Sequence, residues 1–138
     1  GSTVSKEKLE ERGAQSSNKY WQSYLMMDQW VRIKQEGKSL AAYFQKNGYQ
    51  CIAIYGMNYS GITLLDELSG SGIEVKYGID ANADHIYSDI PVYKLSDELD
   101  PVDAVVVSPI YYFDEIERNV SEKMDCPIIP LDDVVFYT

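Results

Sequence analysis

Residues 51–80 read Cys-Ile-Ala-Ile-Tyr-Gly-Met-Asn-Tyr-Ser-Gly-Ile-Thr-Leu-Leu-Asp-Glu-Leu, then Ser-Gly-Ser-Gly, then Ile-Glu-Val-Lys-Tyr-Gly-Ile-Asp. Few folds accept that order. An apolar strand runs into a glycine turn, a helix opens at the turn, and a second strand ends on a carboxylate. Two strands joined by a helix pair in parallel and close by a right-handed crossover. Glycines in such a turn let backbone N–H groups meet a pyrophosphate at the helix N-terminus. The spacing departs from G-x-G-x-x-G at one place, where Asn58 replaces the middle glycine.

The rest of the chain extends the same alternation. Residues 1–17 are polar and expected to fray at the end. Over 18–36 the apolar residues fall on two helical stripes, one with Tyr20, Tyr24, Met27 and Val31, the other with Met26, Trp30 and Ile33. Two stripes predict burial on more than one side, against the domain and against either a partner copy (a homodimer) or a missing catalytic domain. Gly37 breaks this helix. Ser39 caps a shorter one over 39–46, which Asn47-Gly48 ends. Strands are predicted at 51–55, 73–79, 91–93, 102–107 and 128–129, and helices at 60–69 and 112–124. A turn of helix is expected at 96–99 and a short closing element at 131–136. The pattern predicts an α/β fold: a parallel sheet ordered 3-2-1-4-5, flanked by helices and preceded by an N-terminal helical segment. The chain divides into a helical extension, 1–48, and a sheet domain, 49–138; Gly1-Ser2 reads as a cloning remnant on a piece of a longer protein.

Charge narrows the partners. The net charge is −10, and residues 47–138 hold four Lys/Arg against seventeen Asp/Glu, while 1–46 hold eight against five. An acidic body repels a phosphate backbone and an anionic membrane, so no nucleic acid is expected as a partner. A single nucleotide remains compatible, because a helix N-terminus holds phosphate through backbone dipoles without lysine. No apolar run approaches about 18 residues, so no membrane insertion is expected. Cys51 and Cys126 fall on strands that are not neighbours in this order, so both are expected free, which fits a reducing cytoplasm. One histidine and no Cys/His cluster argue against a metal site.

With its elements placed, the chain resembles the small Rossmann-like domains of bacterial surface-polysaccharide pathways. Such domains lead sugar-nucleotide dehydratases and sugar acetyltransferases, and others are modules fused to glycosyltransferases. The resemblance covers roughly residues 39–134 and rests on Ile-Ala-Ile-Tyr-Gly-x-x-x-x-Gly, on Gly-Ile-Asp and on the apolar strand ending Ser-Pro. It implies a nucleotide-binding module, with NAD or a nucleotide-sugar as ligand, in a polysaccharide-biosynthesis protein.

Seven residues are candidates for cofactor contact: Gly56, Asn58, Tyr59, Ser60, Gly61, Asp80 and Ser108. Gly56 and Gly61 match the first and third fingerprint glycines, roles that turn geometry and helix–strand packing require even without a ligand. Asn58 puts a side chain where the pyrophosphate approaches, yet tolerates left-handed geometry and offers a hydrogen-bond donor. Tyr59 and Ser60 at the helix mouth either touch a ligand or cap. Asp80 stands where an acid accepts hydrogen bonds from a ribose diol and repels the 2′-phosphate of NADP, or else is a solvated turn residue. Ser108 either meets the ligand at the switch point or, as the favoured reading, caps the next helix with Pro109 at its first position. His85 reads as an exposed loop residue. Carboxylate pairs such as Asp66/Glu67 and Asp114/Glu115 read as solvated surface.

No Tyr-x-x-x-Lys dyad, G-x-S-x-G elbow or Walker lysine occurs, so no catalytic residue is assigned and activity in this chain alone is not expected. Two alternatives stand beside the binding module: a fragment of an NAD-dependent sugar-nucleotide dehydratase or epimerase, and a structural, dimerising module that has lost its ligand.

Overall fold

The structure, a computed structural model, describes the backbone of residues 2–138 and the side chains of 18–138. Residues 2–17, where fraying is expected, have helical backbone, so the N-terminal helix starts well before the predicted 18; their side chains lie outside the described residues. In chain order the elements are α1 (Ser2–Gln35), α2 (Ala41–Asn47), β1 (Cys51–Tyr55), α3 (Tyr59–Leu68), β2 (Glu74–Ile79), β3 (Val92–Tyr93), β4 (Ala104–Val107), α4 (Phe113–Ser121), β5 (Ile128–Pro130) and α5 (Leu131–Phe136). The five strands are all parallel, in the order β3-β2-β1-β4-β5. This is the sheet that the alternation of strands and helices predicts.

Alternate strand residues feed two cores, as the period of two demands. Ile52, Ile54, Ala104 and Val106 face the side covered by α1, α2, α3 and α5, where Trp30, Phe44 and Leu64 pack. Ala53, Val105, Val107, Tyr77 and Ile79 face the other side, against Ile116, Val120 and Met124 at α4 and its C-terminal end. All four β4 residues are buried, so the valine run is the two-faced strand its composition implied. Among the described residues no helix is long and apolar enough to cross a membrane. Cys51, which opens β1, and Cys126, which precedes β5, are both free, with β4 lying between those strands; burial pushes both thiols up.

Local departures from expectation have local causes. Residues 96–99 form no helix, because the Asp97 carboxylate accepts from the Lys94 N–H at 2.8 Å and closes a turn instead. The segment after Pro109 tightens into a 3-10 turn at Ile110–Tyr112, so α4 begins one residue later than predicted and without a side-chain cap. Gly48 ends α2 in the left-handed region at φ 75°, as the Asn-Gly pair signals.

α1 belongs to the fold. Its Met26, Trp30 and Ile33 are buried in the same core as Leu40, Ile52 and Leu131, each contributing roughly 1.5–3 kcal/mol by area removed from water. The other stripe is exposed at Tyr20, Tyr24 and Val31, while its Met27 is half-buried against the same core. Only one of the two apolar faces is fully covered.

Glu67 holds α1 in place, and here the solvated-surface reading fails. Its side chain is 6% exposed and receives Lys34 Nζ at 2.8 Å, Trp30 Nε1 at 3.2 Å, Ser39 Oγ at 3.1 Å and the Leu40 N–H at 3.2 Å. Burial alone would raise this carboxyl, but the donors from Lys34, Trp30 and Leu40 hold it below the usual range. Asp66, Asp114 and Glu115 are exposed, as expected.

Candidate functional site

β1 and β4 are neighbours in the sheet while α3 and α4 leave it on opposite faces, so their carboxyl ends open the crevice where ligands of such sheets collect. The chain lines it with two loops and one helix. A cleft of about 170 Å³ there is bounded by Asn58 at the end of the β1–α3 turn, Ser60 in the first turn of α3, Ser108 and Tyr112 from the segment after β4, and Lys19 and Ser23 from α1.

The turn is built by its glycines. Gly56 has φ 94°, and a Cβ there would stand 2.5 Å from Ser108 Oγ and 2.7 Å from Pro109 Cδ. A Cβ on Gly61 would collide with the Gly56 carbonyl oxygen, which is why the first turn of α3 can seat against the strand end. Both fingerprint glycines therefore do structural work at this turn.

Asn58 does not use the left-handed geometry open to it. It is extended, at φ −89°, and serves as the N-cap of α3, its Oδ1 accepting from the Gly61 N–H at 3.0 Å and from Ser60 Oγ at 3.0 Å. Capping falls to Asn58, not to Tyr59 or Ser60. Tyr59 is 93% exposed and leaves the cleft for solvent. Among the described residues the backbone N–H groups of Tyr59 and Ser60 have no partner within the chain, and α3 has no acidic residue in its first turn. The positive end of the helix is open to an anion.

Ser108 is corrected in turn. It does not cap the following helix: Pro109 occupies that position with no side-chain cap bond. The Ser108 side chain points back across the sheet and is 3% exposed. Its Oγ donates to the Gly56 carbonyl at 2.6 Å, with Asn58 Oδ1 at 3.0 Å. A hydroxyl has one proton to give, and this one ties the two loops of the crevice together.

Asp80 is neither free in the crevice nor merely solvated. One carboxylate oxygen accepts from the Met57 N–H at 2.9 Å and the other from the Asn82 N–H at 2.9 Å. The strand end beneath is pinned by the Gly56 N–H on the Ile79 carbonyl at 2.8 Å. His85 is exposed, as expected.

Sequence reasoning missed Lys19. Its Nζ lies 5.2 Å from the centroid of the Tyr112 ring, a cation–π contact across the cleft. Lys19 and Ser23 precede Met26, Trp30 and Ile33 on one stripe at spacings of four and three, and once that stripe is the buried one it carries them over the sheet edge. No group of acidic, cysteine and histidine side chains that could hold a metal occurs among the described residues.

Compared with the known protein families, with curated proteins and with solved structures, the chain matches none.

Proposed function

We propose that this chain is a nucleotide- or sugar-nucleotide-binding Rossmann-like module of a bacterial surface-polysaccharide protein, acting in the cytoplasm and non-catalytic by itself. One observation carries the reading: at the switch point of the sheet, the Tyr59 and Ser60 N–H groups have no partner among the described residues, and Lys19 lines the same cleft as Ser60. Unpaired donors at a helix N-terminus, next to a cation, favour a phosphate or pyrophosphate. The cleft, at about 170 Å³, is smaller than the roughly 300–1,000 Å³ of complete ligand pockets. It takes the phosphates, and the nucleoside lies along the open edge beside Asp80. The Asp80 carboxylate spends one lone pair of each oxygen on the backbone and keeps others for a ribose diol, which favours NAD or a nucleotide-sugar over NADP. The missing acid/base dyad assigns any chemistry to another domain.

A second reading has its own observation. Asn58, Ser108 and Asp80 satisfy one another and the turn, as a scaffold without ligand would arrange them.

A thermal-shift panel of NAD, NADP, UDP- and CDP-sugars and CoA separates the two. A ligand at about 100 times its dissociation constant adds roughly 2.7 kcal/mol, several degrees for a domain of this size. A shift with NAD or one sugar-nucleotide class is the expected result. A flat response to every compound overturns the binding module and leaves the scaffold.

A further inference from the structure

Among the described residues the outer face of α1 leaves a row of large apolar side chains bare. Tyr20 is 70% exposed, Trp21 58% and Tyr24 62%, and Leu25 and Val31 extend the patch along the helix. Trp21 and Tyr24 stack on each other at 5.7 Å with ring planes 13° apart, so the patch is a preformed ridge. Beside it, between α1 and α3, lies a mainly apolar groove of about 420 Å³ lined by Met27, Trp30, Val31 and Thr63 together with Gln35 and the Lys34–Glu67 pair.

We infer that this face is a homodimer interface, in which the aromatic ridge of one copy fills the α1–α3 groove of another. Three observations select a second copy over other occupants. The ridge and the groove lie on one surface of one chain, which is the self-complementarity that a two-fold interface requires. The spacing of Tyr20, Tyr24, Met27 and Val31, four-three-four, is the seam of two helices packed side by side. Third, charge permits the approach. Residues 47–138 are strongly acidic and repel each other, but 18–36 hold three Lys/Arg against two Asp/Glu, so copies meet on their neutral side. That weak charge also removes an anionic lipid surface as the occupant.

The area suffices. Side chains of this kind carry about 150–250 Å² each, so the exposed parts of the five residues come to roughly 500 Å² per copy. Two copies then remove roughly 1,000 Å², the lower bound for a specific interface before the groove wall is counted.

Sedimentation of the intact chain at micromolar concentration tests this. The expected species has twice the 15.7 kDa mass of one chain. The double variant Trp21→Glu/Tyr24→Glu, at exposed positions, is expected to weaken association by at least about 30-fold and to keep the wild-type circular dichroism spectrum. Thr63→Trp fills the groove from α3 without altering α1, and is expected to give a monomer as well. A wild-type chain that is monomeric at these concentrations overturns the inference, whatever other protein it captures. A dimer that survives both variants overturns it too, because the interface then lies elsewhere. Neither result bears on the ligand panel, so the two proposals fail separately.

Discussion

Asp80 Oδ2 accepts a hydrogen bond from the backbone nitrogen of Met57 at 2.9 Å. The residue that follows β2 thereby fastens the glycine turn after β1. Met57 is buried and its side chain lies over Gly78, where a Cβ would come within 2.7 Å of the sulfur. Removing the acceptor leaves that N–H in poorly hydrated surroundings. Asp80→Ala is expected to cost about 1–3 kcal/mol in urea unfolding, and Asp80→Asn, which keeps an oxygen, less than half as much. Equal costs for the two would show that charge rather than the acceptor matters.

The fingerprint glycines are expected to differ from the capping ones. Gly61→Ala drives a methyl into the Gly56 carbonyl, and Gly56→Ala adds left-handed strain to contacts with Ser108 and Pro109. Each should lose at least about 2 kcal/mol, from overpacking and backbone strain together. Gly48→Ala, at φ 75° with nothing within 4 Å, meets strain alone and should cost about 1 kcal/mol. Melting temperatures in that order confirm the packing; a neutral Gly61→Ala refutes it.

Glu67 makes stability depend on pH. Its carboxyl is held below the usual range despite burial, so the unfolded chain binds the proton more readily than the folded one. The stabilisation is therefore complete above the unfolded carboxylate range, near pH 4.5, and is lost as pH falls below it. Glu67→Gln should be less stable at pH 7 by about 1–3 kcal/mol, and the difference should shrink on acidification. Urea midpoints measured across acid pH check this, and a difference that stays constant rules out the mechanism.

Asp132 should behave in the opposite sense. Its Oδ1 is buried without a partner among the described residues, and burial, then the neighbouring Asp133, pushes the carboxyl up. A raised acid penalises the folded state at neutral pH and is relieved as the proton returns. Asp132→Asn is expected to raise the melting temperature at pH 7, with the gain disappearing at acid pH. A loss at pH 7 would mean that the carboxylate is needed at the α5 N-terminus.

Lys19 is the test of the cleft. Lys19→Gln removes its cation from a partly exposed site and should weaken whichever nucleotide the panel identifies by about fivefold, with the melting temperature of the free protein unchanged. Calorimetric titration gives the answer. Unaltered affinity places the phosphate away from α1.

How much of this was readable depends on how far apart the partners are in the chain. Gly56, Gly61 and the strand–turn–helix order follow from neighbours within a few residues. The role of Asn58 as a cap was equally local, two and three residues from its donors, and the glycine template obscured it. Ser108 bonds to Gly56 across 52 residues, and Glu67 gathers donors from Trp30, Lys34, Ser39 and Leu40. No local pattern announces either, because each contact exists only after the sheet has assembled.

The sequence by itself determined the α/β class, the parallel order of the strands and the place of the glycine turn. Hydrophobic period, turn residues and crossover handedness are properties of short segments, and they agree with one another along this chain. Tertiary structure alone decided which stripe of α1 is buried, that Lys19 reaches the crevice, and that Asp80 and Ser108 bind the turn first. Both stripes have helical spacing, and a carboxylate or hydroxyl accepts many partners. Only the approach of distant elements fixes which partner lies within hydrogen-bonding distance and which face loses its water.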